Sequence, residues 1–207
     1  TGVLIASILS VLIIFIGTYF LLISYRKSAE NQYRAHHDPL TKLPNRTLFA
    51  DRLSIALAIC NRKQTKLAIL FVDLDNLKTI NDVNGHNAGD AVLIEVATRM
   101  VRCLRESDTI ARIGGDEFIV LLPDVDTEEN VMKVAEKIRA ALIPPIDAEG
   151  FSLITSASIG VAIFPYHGLN ASDLMNNADV AMYSAKSKGR NTIVMYGDHI
   201  AKTVLKD

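Results

Sequence analysis

Two carboxylates follow a pair of glycines in Arg112-Ile113-Gly114-Gly115-Asp116-Glu117-Phe118, and the apolar run Ile119-Val120-Leu121-Leu122 continues from them. Apolar residues from Thr109-Ile110 to Leu122 flank the glycines, which predicts two strands joined by a tight turn, because Gly supplies the positive φ such turns require. Neighbouring strand residues point to opposite faces, so Asp116 and Glu117 cannot both be surface charges on one side. Taken alone, the stretch reads equally as a surface hairpin whose acids serve solubility. A second acidic position argues against that. Leu67-Ala68-Ile69-Leu70-Phe71-Val72 is an apolar run of strand length, and it ends in Asp73-Leu74-Asp75. With the hairpin beside this strand, Asp73 converges with Asp116 or Glu117. Hard oxygen ligands from two strands, with room for phosphate oxygens, make a Mg²⁺ site serving a nucleotide.

The surrounding pattern supplies elements to hold such a site. Arg46 to Asn61 carries Leu48, Phe49, Leu53, Leu57 and Cys60 at helical spacing. A helical piece is expected from about Asn76 to Asn84-Gly85, and a longer helix from about Ala88 to Leu104, with Leu93, Val96, Ala97, Met100 and Leu104 on one face. Asp126 or Thr127 caps a helix presenting Val131, Val134, Ile138 and Leu142, which Pro144-Pro145 stops. Phe151 to Phe164 reads as one strand region, in which Gly160 marks a bulge or a close backbone approach. Ser172 is the expected cap of a last helix with Leu174, Ala178, Ala181, Met182 and Ala185 inward, and Thr192 to Met195 a last strand. The order βααββαβ predicts an α+β or α/β domain with helices packed on a sheet.

Composition bounds the rest. The 207 residues are 49% hydrophobic and 22% charged with net charge −1, which suits one globular domain plus an apolar extra and gives no support for a nucleic-acid surface. Cys60 and Cys103 lie in helical patterns rather than at metal-ligand spacing, and read as reduced, buried thiols. Residues 1–25 contain no charged side chain; as a helix they would be about 38 Å long, enough for a hydrocarbon core of roughly 30 Å. Arg26, Lys27 and Arg34 follow, so the positive-inside rule puts the downstream side in the cytoplasm. The expectation is one transmembrane helix over 1–25, a cytoplasmic stalk or plain solvated linker over 26–37, and the globular domain over 38–207. The chain opens on Thr rather than Met, which suggests a longer protein with a sensor upstream.

The hairpin resembles the signature of the GGDEF family of diguanylate cyclases, complete from Gly114 to Phe118. The resemblance takes in DPLTKLPNR from Asp38 to Arg46, DLDNLKTIND from Asp73 to Asp82, then Gly85-His86 and Gly89-Asp90. It closes with Ala178-Asp179, Ala181-Met182-Tyr183, Ala185-Lys186 and Gly189-Arg190-Asn191. Matches in this order over about three quarters of the chain are not a chance pattern. The resemblance implies a fold like the palm of nucleotidyl cyclases and polymerases. It implies condensation of two GTP into cyclic dimeric GMP and two pyrophosphates, with one GTP per domain of a homodimer. The cofactor would be Mg²⁺, with Mn²⁺ as a substitute.

Residue by residue, the resemblance carries metal ligation to Asp73, the Leu74 carbonyl and Asp116, and the catalytic role to Asp116 with Glu117 in support. Asn81 and Asp90 correspond to the guanine readers, where a carboxylate can accept from N1–H and N2–H₂. His86, Gly114 and Gly115 belong to the substrate site, and Lys78, Lys186 and Arg190 to the triphosphate contacts. Leu77 stands where the family commonly has Phe, an exchange expected to affect packing modestly. Arg105-Glu106-Ser107-Asp108 precedes Gly114 with five residues between, the letters and offset of the family's RxxD inhibitory site for its product. A bacterial inner membrane would be the setting, with the catalytic domain in the cytoplasm. Two other readings fit the same letters: a non-catalytic GTP-binding regulator of a downstream phosphodiesterase domain, and a receptor for cyclic dimeric GMP.

Overall fold

The structure, a computed structural model, describes residues 2, 15–25, 27 and 33–197. It divides into two units, Thr1–His37 and Asp38–Asp207. In the first, residues 15–25 are helical and expose Phe15, Tyr19, Phe20, Leu21, Leu22 and Tyr25. Among the described residues no helix is long and apolar enough to cross a membrane. About half of the span expected over 1–25 and half of the stalk over 26–37 lie outside them.

The second unit is organised on β1 (Leu67–Asp75), whose nine residues are all buried. Antiparallel β3 (Glu117–Leu122) flanks it on one side and β6 (Ser156–Phe164) on the other. With β2 (Thr109–Gly114) outside β3, and β7 (Ile193–Met195) parallel to β6, the five strands run in the order β2-β3-β1-β6-β7. Alternation along β1 divides the core between the two faces. Ala68, Leu70, Val72 and Leu74 join the cluster under α3 (His86–Cys103) and α4 (Glu128–Leu142). Leu67, Ile69 and Phe71 join the cluster under α1 (Arg46–Lys63) and α5 (Ala171–Ser187). Asp73 continues this second face. The expected βααββαβ core is present, with α2 (Leu77–Asn84) and α3 between β1 and β2.

Five expectations are corrected or narrowed. The strand expected over Phe151 to Phe164 is two strands: β5 (Phe151–Leu153) pairs only with β4 (Ile146–Ala148) in a separate ribbon, while β6 enters the main sheet. The last helix is capped by Asn170, whose side chain accepts from the Asp173 N–H, not by Ser172; Asn170 is extended, as a cap must be. The long helix begins at His86, two residues before Ala88, because Gly85 with φ 86° turns the chain directly out of α2. Thr127, not Asp126, caps α4. Gly160 is a close approach rather than a bulge: a Cβ there would sit 2.0 Å from the Ala178 carbonyl oxygen and 2.2 Å from the Met182 nitrogen. The backbone of α5 therefore lies directly on β6, a contact only Gly permits. Cys60 and Cys103 are free and buried, as their spacing suggested.

Candidate active site

The site lies where β1 ends beside the β2–β3 turn. Asp73 is the direct cross-strand partner of Glu117, and the Leu74 N–H donates to the Asp116 carbonyl oxygen at 3.1 Å. The hairpin thus lies beside the buried strand, and Asp73, Asp116 and Glu117 come together. Gly115, at φ 52°, makes the turn. Its carbonyl is gripped by Arg112 through Nε at 3.1 Å and Nη2 at 2.8 Å, while Arg112 Nη1 donates to Asp38 at 3.1 Å. Asp38 also accepts from the backbone N–H and hydroxyl of Thr41, both at 2.7 Å. Burial opposes ionisation of Asp38, but these donors and the guanidinium outweigh it and hold the carboxyl below its usual value. The opening motif thereby fastens the Gly-Gly turn.

Asp73 is 4% exposed, and its Oδ2 pairs with Lys186 Nζ of α5 at 2.7 Å. Burial is the main cause that pushes its carboxyl up to about 6; Asp116 and Glu117 add to the rise, while Lys186 opposes it. Glu117 is raised by burial and then by Asp116 and Asp179, against Lys186 and Arg46. Asp179 is itself raised by burial, with Lys186 opposing. One lysine therefore faces several crowded carboxylates, an environment that favours an added cation. Asp179, seven residues before Lys186 on α5, was not among the residues singled out for chemistry. Its two-turn spacing from Lys186 was the available signal.

The second group of residues gathers at α2 and α3. A Cβ on Gly89 would lie 1.8 Å from Asn81 Oδ1, so the Asn81 amide rests against α3 at the bare glycine, next to Asp90. His86 is exposed at the first position of α3, and Lys78 is exposed in the first turn of α2. Arg190 follows α5 with φ 64°. Arg105 and Asp108 lie before β2, where they close their own turn: the Arg105 N–H donates to Asp108 Oδ2 at 2.9 Å, and the Asp108 N–H to the Arg105 carbonyl at 3.0 Å. They line a small cavity of about 50 Å³ with Asp124, Asp126 and Asn130. A larger groove of about 430 Å³ between α1 and the β2–β3 ends shares no residue with the carboxylate cluster.

A family model for the diguanylate cyclase GGDEF domain matches residues 35–192. The chain belongs to the GGDEF family. Diguanylate cyclase TpbB of Pseudomonas aeruginosa is 44% identical over 167 residues, covering 80% of this chain and 38% of that protein. A solved structure of the GGDEF domain of TpbB matches with TM-score 0.80 at 42% identity, over 83% of this chain and 100% of that one. MucR of the same organism, a bifunctional diguanylate cyclase/cyclic di-GMP phosphodiesterase, is 46% identical over 157 residues, covering 76% of this chain and 23% of MucR. The coiled coil and GGDEF domain of DgcB from Caulobacter crescentus, solved with c-di-GMP, matches with TM-score 0.77 at 27% identity, covering 86% of this chain and 95% of that one. The chain thus spans under two fifths of the curated relatives TpbB and MucR.

Proposed function

We propose that this chain is the catalytic end of a membrane-anchored diguanylate cyclase, joining two GTP into cyclic dimeric GMP and releasing two pyrophosphates. The observation that carries the reading is the convergence of Asp73, Asp116 and Glu117 at the buried end of β1, with Lys186 against them. Among the described residues no three His, Cys, Asp or Glu side chains could hold a metal by themselves. The donor set nevertheless suits a hard divalent cation: Asp73, Asp116 and the Leu74 carbonyl are oxygen donors, and GTP phosphates would complete the shell. Bound there, Mg²⁺, or Mn²⁺ in its place, would neutralise charge on the α-phosphate and lower the pKa of the attacking hydroxyl.

The protein's own groups do the rest. Asp116 accepts the 3′-hydroxyl proton as that oxygen attacks the α-phosphate of the facing GTP, and Glu117 holds Asp116 in its acidic setting. Pyrophosphate leaves, and the reciprocal attack closes the ring. Asn81 and Asp90 read guanine, with His86 beside them, and Lys78, Lys186 and Arg190 bind the triphosphate; Gly114 and Gly115 let it approach the turn. One GTP per domain requires a homodimer whose sites face each other, and a shared membrane raises their effective concentration. Product bound at Arg105 and Asp108 would restrain the dimer. Residues 15–25, with apolar side chains exposed around the helix, support an anchor at the inner membrane.

The test is product formation by the full chain with GTP, Mg²⁺ and a phosphodiesterase that removes product. Cyclic dimeric GMP from the parent and none from Asp116→Asn is expected; a folded, dimeric, product-free parent that makes none overturns the reading. A second reading, regulation of an attached phosphodiesterase domain, is favoured by the bifunctional name of MucR. GTP binding without turnover would select it.

A further inference from the structure

Asp75 is 2% exposed at the end of β1, and no chemical role attaches to it in the cluster described above. Its carboxylate is nonetheless fully engaged. Oδ1 accepts from the Ser158 hydroxyl at 2.8 Å; Oδ2 accepts from the Ser156 hydroxyl at 2.5 Å and from the backbone N–H of Asn191 at 3.1 Å. The two serines belong to β6, but Asn191 lies 116 residues away along the chain, just after α5. That third bond reaches an unusual turn. Gly189, Arg190 and Asn191 all have positive φ, at 108°, 64° and 44°. The first two close α5 in a Schellman pattern, with Gly189 N–H to the Lys186 carbonyl and Arg190 N–H to the Ala185 carbonyl. A left-handed conformation at Arg190 costs free energy and persists only where the surroundings impose it.

Two groups impose it from opposite sides. Asp75 takes the Asn191 N–H, and Arg139 of α4 donates to Asn191 Oδ1 at 2.8 Å while a carboxylate of Glu136 holds the same guanidinium. We infer that Asp75 is a positioning residue: by locking the Asn191 N–H it fixes the left-handed turn that aims Arg190 into the nucleotide site. The inference rests on the proposal that Arg190 contacts the triphosphate. A carboxylate suits the task because it accepts three hydrogen bonds without offering a donor. Asn at this position could face its N–H₂ to the Ser158 hydroxyl, which can rotate to accept, and keep its carbonyl oxygen on the Asn191 N–H; Ala removes every acceptor.

The test is a double-mutant cycle on the full chain, read as KM for GTP and kcat separately. Asp75→Ala is expected to raise KM about tenfold with kcat little changed, as is Arg190→Ala, and the double variant should be no worse than either. Multiplying effects in the double variant, or an Asp75→Ala enzyme with the parent KM, would overturn the inference while leaving the cyclase reading intact. An Arg190→Ala enzyme with the parent KM removes the triphosphate assignment, and the positioning role falls with it. Should Asp75→Ala fail to fold, Arg139→Ala loosens the turn from its exposed side. A KM rise of about threefold there, absent in the Arg190→Ala background, supports the clamp, and an unchanged KM refutes it.

Discussion

The two ends of strand β2 carry acidic turns of opposite character. Before it, Asp108 is satisfied by the backbone N–H of Arg105 within its own turn, at the surface. After it, Asp116 and Glu117 enter a crowd with Asp73 and Asp179, where burial and mutual repulsion raise Asp73 and Glu117 from their ordinary values. The first arrangement costs the fold little. The second works against stability, because burial and neighbouring like charges both oppose ionisation of the crowded carboxylates.

The sharpest way to break this contrast is to neutralise the crowded end. Glu117→Gln should lower the single-turnover rate of cyclic dimeric GMP formation about 10³-fold, with the chain still folded by circular dichroism. An enzyme within about threefold of the parent would put the acid outside the chemistry.

The strain at that end should also be visible in stability. The Asp73 carboxyl rises from 3.8 to about 6 in the fold, so between these values the folded state keeps a proton that the unfolded chain has released. Stability should therefore fall as pH rises through that window, by at most about 3 kcal/mol from this group and by less where solvent screens it. Denaturant titrations of metal-free protein at a series of pH values measure it, and Asp73→Asn should flatten the dependence. A parent curve that rises through the window contradicts the picture.

A milder perturbation separates recognition from catalysis. The Cβ of Gly89→Ala would displace the Asn81 amide, a movable side-chain end, rather than any backbone. KM for GTP should rise about tenfold with kcat nearly retained, and discrimination against ATP should weaken. Steady-state kinetics with both nucleotides decide it.

The smallest effect on the fold belongs to the other end of β2. Arg105→Ala should change unfolding free energy by no more than about 0.5 kcal/mol, while inhibition by added product disappears. Equally strong inhibition of that variant would leave the surface turn without a regulatory role.

Much of the site could be read from local pattern. An apolar run ending in Asp73, a Gly-Gly turn leading into Asp116 and Glu117, and the closing Gly189 are signals carried by adjacent residues. The cap of α5 was misread because Asn170 and Ser172 are both good caps, and only the backbone's entry angle chooses between them. The break between β5 and β6 was missed because apolar residues continue across it. What separates them is the choice of partner strand, β4 for one and β1 for the other.

The sequence by itself determined the elements, the turn chemistry and the kinds of side chain available, because periodicity, φ preference and charge are properties of neighbouring residues. Only the tertiary structure decided that Lys186 meets Asp73, that Arg112 and Asp38 hold the turn, that Gly160 lies under α5, and that Asp75 reaches Asn191. These contacts join segments tens of residues apart. Their specificity comes from how the helices pack on the two faces of β1, and no local pattern encodes that packing.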